Sequence, residues 1–310
     1  MQQFVLSKEW AFACRNPQKT PPNLSPHALE EWLKQHTPID SKCIPSAYPY
    51  IRSVDEGYPE ELHGYQAPPV LFYRGNISLL HKPKIAIVGT RKASVLGVEF
   101  CKLLSSFLYN NDIISVSGLA HGIDEVVHHQ ALSKTIGILA CGFGDSLSSK
   151  TKHLCQKIVD AGGLIVSEFP PNTPPRKWRF IQRNRIIAWL GKEVILVEAP
   201  HESGTLHTIK NAMDRNKHIW IVPSSPLSHT NRGGLALIAA GFPPLCSIQQ
   251  LAHHLQLSYK AEKKSILSFS EFAQYSNMST KDAMKELTKL ELHGTIKTLQ
   301  NGYFVWNPSS

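Results

Sequence analysis

The sequence predicts an α/β fold built around a doubly wound, mostly parallel β-sheet, with a small second unit behind it. Three observations carry that expectation. Short, almost continuously apolar segments recur at 85–88, 113–117, 136–140, 164–167, 194–197 and 219–222. Stretches with helical spacing separate them, around 95–110, 123–133, 150–161, 181–190 and 204–215. Small and charged residues follow the strand ends, where ligands of such sheets bind. Strands apolar on both faces that alternate with helices belong to a parallel sheet covered on both sides. The architecture is therefore Rossmann-like.

The flanking segments read differently. Residues 1–50 hold prolines at 17, 21, 22, 26, 38, 45 and 49 and one short helical signal over 26–35, opened by Ser25 and Pro26. A turn-rich lead at 58–75 ends in a strand over 70–73. Beyond the basic hinge KAEKK, helical signals at 263–268, 270–276 and 279–292 precede a hairpin whose turn is Asn301-Gly302. Three helices and a β-wing make a winged-helix module, whose third helix lines up Lys281, Lys285 and Lys289. The expected divisions are an N-terminal appendage over 1–57, the Rossmann-like domain over 58–258 and the winged helix over 263–310.

At 310 residues, with 42% hydrophobic and 18% charged side chains, the chain has the composition of a globular protein. A formal charge of +9 favours a polyanionic partner. Six cysteines without a CxxC pair argue against a zinc ribbon or a disulfide scaffold and suit a reducing cytosol. The start, MQQFVLSKEW, lacks the basic-then-apolar pattern of a signal peptide. The uncharged run 233–252 is interrupted by Gly241, Pro243 and Pro244, so it reads as two short buried pieces and not as a membrane span.

Chemistry concentrates after the strands. IAIVGTRKAS runs from a strand into Gly89, Thr90, Arg91 and Lys92, then into Ser94 as helix cap. A glycine turn leading to a helix N-terminus is an anion site, so this loop reads as a phosphate cradle. SGLAHGID places Ser117, Gly118 and Gly122 in a second such turn, followed by Asp124 and His128, four apart on one helix face. Between Glu168 and Glu193 lie six cations and no carboxylate, with Trp178 and Phe180 interleaved: PPRKWRFIQRNRIIAWL. Guanidinium groups beside rings suit single-stranded nucleic acid, where cations hold phosphates and rings stack on bases. On this reading Arg179, Arg183 and Arg185, with Asn184, track a phosphate backbone, while Trp189 packs inward with Ile186 and Ile187. VEAPHESGTLHT sets Ser203, Gly204 and Thr205 in a third phosphate-sized turn after Glu198. Walker A, GxGxxG, GxSxG and HExxH patterns do not occur. No cofactor, no metal ligand and no catalytic residue is assigned; the His-His pairs at 128–129 and 253–254 point different ways on a helix.

The ordered set YPEEL, PPVLFYRG, IAIVGTRKAS with Gly97, SGLAHGID, SEFPPNTPPRKWRFIQRNRIIA, VEA with SGTL, and VP followed by TNR resembles the bacterial DNA-processing protein A family (DprA, also called Smf) over about residues 58–245. That resemblance implies a cytoplasmic homodimer without catalytic turnover. It would bind single-stranded DNA and load the RecA recombinase during natural transformation. It puts the phosphate grip on Gly89, Thr90 and Arg91. The chain departs from the family pattern in four places: CGFGDSLSSK has no Tyr-Pro pair, Ile181 replaces a proline, Ser224 replaces a glycine, and the family's N-terminal helical domain is reduced to residues 1–50. The winged helix suits either duplex DNA or a protein partner. A rival reading is a nucleotide-processing enzyme of the phosphoribohydrolase type, kept open by Glu198 beside Ser203, although the PGGxGTxxE signature is absent.

Overall fold

The computed structural model describes residues 48–64, 66–145, 147–259, 265–293, 295–299 and 303–306. The expected helix over 26–35, the hinge at 260–264 and the turn at 301–302 lie outside them. Two antiparallel strands, β1 (Tyr50–Arg52) and β2 (Val70–Gly75), form one edge of an eight-stranded sheet. The other six run parallel: β3 (Lys84–Val88), β4 (Ile114–Ser117), β5 (Thr135–Ile138), β6 (Leu164–Ser167), β7 (Glu193–Leu196) and β8 (His218–Ile221). Their order is β1-β2-β6-β5-β4-β3-β7-β8. From β3 the chain winds outward to β6, then returns to the other side of β3 with β7 and β8. Strand order therefore reverses between β3 and β7, and their carboxyl ends frame the crevice where such sheets bind ligands.

The helices of this part are α1 (Val95–Asn110), α2 (Ile123–Gln130), α3 (Ser149–Asp160), α4 (Lys177–Leu190), α5 (Thr205–Met213), α6 (Arg232–Ala239) and α7 (Ile248–His254). Alternation along β3 sorts them onto two faces. Ile85 and Ile87 pack with Cys101 and Leu104 of α1, Ile123 of α2 and Leu251 of α7. Ala86 and Val88 pack with Ile186 and Ile187 of α4 and Ile209 of α5. Complete burial of each large aliphatic chain contributes roughly 1.5–3 kcal/mol, so both faces of β3 hold helices firmly. Ser94 caps α1 by accepting the Gly97 amide at 3.0 Å, as the sequence suggests. The uncharged run forms α6 and α7, and no described helix is long and apolar enough to cross a membrane.

Two expected helices are corrected. The one placed at 181–190 starts at Lys177, because Arg176 is extended after Pro174 and Pro175 and the helix begins directly behind it. The signal at 263–268 is a strand over its described part, β9 (Ser265–Ser268). Ser268 is already the N-cap of α8 (Phe269–Tyr275), with a Glu271 capping box, so the backbone before it is extended. Its backbone groups find partners in an antiparallel sheet instead. After α9 (Thr280–Leu292) come β10 (Ile296–Thr298) and β11 (Tyr303–Trp306), and the order is β10-β11-β9. Phe272 and Phe304 meet edge to face, 5.4 Å apart, in a core with Ala283 and Ile296.

Candidate functional site

A cleft of about 720 Å³ opens at the point where strand order reverses. The loops after β3 and β7 form its walls, and they are tied together by their own backbones. The Thr90 amide donates to the Glu198 carbonyl at 2.8 Å, and Thr205 Oγ1 donates to the Gly89 carbonyl at 3.0 Å. From the α2 side, the Ile123 amide donates to the Thr90 carbonyl at 3.2 Å. Gly122 allows this approach: its φ is +86°, and a Cβ there would lie 2.4 Å from the Thr90 carbonyl oxygen. The Thr90 amide is therefore committed, which corrects the expectation that it grips a phosphate. Thr90 itself is buried, with Oγ1 accepting the Lys92 amide at 3.2 Å.

Glu198 is committed as well. It is buried, and its carboxylate accepts from the Ser94 amide at 2.8 Å and from Ser94 Oγ at 2.5 Å. Gly97 makes room for it, since a Cβ there would lie 2.6 Å from the carboxyl carbon. The start of α1 thus has the chain's own carboxylate as its anion. The phosphate cradle read from strand, glycine and helix cap is filled from within. Glu198 does not line the cleft.

What faces the cleft is a set of side chains. Arg91 and Lys92 are exposed at its mouth, and Lys177 and Phe180 stand opposite on the first turn of α4. Arg91, Lys92 and Lys177 have no carboxylate partner among the described residues. The Arg91 guanidinium lies over the Phe180 ring, 5.5 Å from its centroid. Ser203, Gly204, Thr205, His229 and Thr230 complete the rim, with Glu202 as its exposed carboxylate. Asn184 donates from Nδ2 to the Gly204 carbonyl at 3.1 Å and so sets the position of the β7 loop. Ser203 Oγ accepts the Thr205 amide at 3.2 Å.

Several expected contacts lie elsewhere. Arg183 is only 3% exposed: it lines the cleft from its floor, but its guanidinium donates to the carbonyls of Gly118 and Ile138. Burial lowers its guanidinium to about 10, against the opposing pull of Asp124, so it remains a cation at neutral pH. Asp124 is buried beside it; burial raises that carboxyl even though Arg183 pulls the other way. Arg185 turns away from the cleft altogether and makes a bidentate pair with buried Glu168 at 2.7 and 2.8 Å. Ser117 is fully buried and donates to the Ile87 carbonyl. Arg179 is half-buried on the rings of Trp178 and Phe169, 4.8 and 5.3 Å from their centroids, and donates to the Pro174 carbonyl. Asp124 and His128 do not bond to one another: His128 Nε2 accepts the Leu119 amide at 3.3 Å, and its Nδ1 meets Thr135 Oγ1 at 2.9 Å.

The basic segment thus divides by helical period, with Lys177, Phe180, Ile181, Arg183, Asn184 and Ile187 lining the cleft and Arg179 and Arg185 outside it. Lys177 was legible as the i−3 and i−7 partner of Phe180 and Asn184. His229 carried no local signal, and Thr230 only its place in the TNR motif. They reach the rim because buried Asn231 bridges the Ala199 amide and the Val222 carbonyl at 3.0 and 2.9 Å.

Fold and cleft together define a Rossmann-like α/β protein with a cationic groove at its switch point, where the buried carboxylate of Asp124 sits beside Arg183. Comparison with known proteins narrows this to one family. A model of DNA recombination-mediator protein A matches residues 49–256, and the chain belongs to that family. It is 37% identical over 198 residues to DNA processing protein DprA of Streptococcus pneumoniae, covering 63% of this chain and 70% of that protein. With the Bacillus subtilis DprA it shares 34% identity over 222 residues, 70% of each. The X-ray structure of the Streptococcus pneumoniae protein superposes with a TM-score of 0.66 at 30% identity, covering 84% of this chain and 94% of that one. A structure on the single-stranded DNA binding mode of DNA processing protein A from Helicobacter pylori gives 0.61 at 28% identity, over 68% and 96%.

Proposed function

We propose that the cleft binds the sugar-phosphate backbone of single-stranded DNA, and that the chain does so without turnover, as a homodimer that hands the strand to a recombinase of the RecA type. The observation that carries this reading is the trio Arg91, Lys92 and Lys177. They are exposed, unpaired among the described residues and set around Phe180 at the switch point. Such cations gain more from a polyanion than from water, because each neutralised phosphate releases condensed counterions. The Helicobacter pylori relative, similar over 68% of this chain, is described as binding single-stranded DNA. The grip rests on side chains, since the Thr90 amide is committed to Glu198. Phe180 holds Arg91 in place as a cation on a ring. The phosphoribohydrolase alternative loses its main support, because the carboxylate that it needs, Glu198, is buried against Ser94.

Fluorescence anisotropy of a labelled dT oligonucleotide, at two salt concentrations and with AMP and duplex DNA as competitors, tests the reading. Tight binding that salt weakens and AMP does not displace is expected. Displacement by AMP, with slow release of adenine, would replace this function with the enzymatic one.

A further inference from the structure

At the opposite, amino-terminal edge of the sheet, three side chains from separate elements converge. Glu193 opens β7, His218 opens β8 and His254 closes α7. One carboxylate oxygen and one nitrogen from each imidazole all lie within 4.8 Å of one another. His254 Nε2 is 2.9 Å from Glu193 Oε1, and the two imidazoles stack with centroids 5.0 Å apart and planes at 22°. Glu193 is buried, and its other oxygen accepts the Trp220 indole N–H at 2.8 Å. The cluster opens into a recess of about 520 Å³, which Lys192, Leu255 and Gln256 also line.

The contact between His254 and Glu193 occupies one imidazole and leaves the second, stacked on it, without a hydrogen-bond role toward the carboxylate. Two imidazoles and a carboxylate together are the donor set of borderline divalent ions. At metal–ligand bonds of about 2.0–2.2 Å, a tetrahedral site holds neighbouring donors roughly 3.3–3.6 Å apart. The donors of this cluster lie within 4.8 Å of one another, and both imidazoles are exposed and able to turn toward a shared ion. The Trp220 N–H fixes the remaining carboxylate oxygen, as outer-shell donors do around metal sites. We propose that Glu193, His218 and His254 bind one divalent transition-metal ion of the zinc class, with water in the fourth position. Bound there, the ion ties the starts of β7 and β8 to the end of α7.

Calorimetric titration with Zn²⁺ and absorbance titration with Co²⁺, on the full chain and on its His218→Ala/His254→Ala double variant, test this. Both histidines are exposed, and unchanged far-UV circular dichroism verifies the variant's fold. The expected result is one saturable ion in the wild type that the double variant binds at least a hundredfold more weakly. Zn²⁺ should also raise the melting temperature of the wild type alone, since a ligand of the folded state stabilises it by mass action. No saturable binding overturns the site. So does an ion retained undiminished by the double variant, because it then sits on other histidines or on cysteines.

Discussion

Arg91 and Arg185 show how far identical side chains diverge in one fold. Arg91 is exposed with its guanidinium over the Phe180 ring and no carboxylate partner among the described residues, whereas Arg185 is 3% exposed and bidentate to Glu168. Arg91→Ala should lower affinity for single strands of any sequence by a similar factor, reduce the salt slope by about one and leave melting unchanged. Arg185→Ala should instead cost about 3–5 kcal/mol of stability, because Glu168 is then buried without its partner. Chemical denaturation and anisotropy on the two variants separate these effects; wild-type affinity in Arg91→Ala would remove it from the site. His128 makes a pH-dependent contribution. Burial lowers its imidazole from the ordinary 6.5 to about 3, so the unfolded chain binds a proton there that the folded chain does not. Its contribution is complete above 6.5 and is lost as pH falls towards 3. Between 6.5 and about pH 5 this amounts to roughly 2 kcal/mol, and urea titrations should show that slope reduced in His128→Gln.

Helix α4 is the element on which the reading of the site turns. With its start at Lys177, the first turn presents Lys177 and Phe180 to the cleft, and the following turns bury Arg183 and Arg185. A local scan of charge density weights Arg183, Asn184 and Arg185 alike, whereas in the fold Arg183 and Asn184 line the cleft and Arg185 pairs with Glu168 away from it. The boundary was hard to see because Arg176 caps nothing with its side chain and the first turn lacks an acidic residue. Since Phe180 carries the Arg91 guanidinium, Phe180→Ala should weaken strand binding by a factor of about two to five, matching 0.5–1 kcal/mol for an exposed cation on a ring. An unchanged constant in the same anisotropy assay would mean that Arg91 is positioned by its loop alone. Strand β9 teaches a similar lesson: four residues before a capped helix have their pairing chosen by β11, a partner that starts 38 positions after Ser265.

Across the whole molecule, a formal charge of +9 favours polyanions everywhere, and the switch-point cleft gathers three cations without a carboxylate partner among the described residues around the Phe180 ring. Lys281, Lys285 and Lys289 lie on α9, which does not line that cleft. Replacing all three by alanine should leave dT binding within about twofold while lowering duplex affinity, if the C-terminal unit contacts duplex DNA; a large loss of dT binding would extend the single-strand site onto α9. By itself the sequence determined the alternation of apolar strands and helices, the switch-point loops and the family, since each is written in local period or in contiguous motifs. Only the tertiary structure decided which cations face the cleft, which amides and carboxylates are already committed, and that Glu193, His218 and His254 meet. Those outcomes depend on partners far apart in the chain. A helix that shifts by one residue turns its side chains by about 100°, and composition cannot register that change.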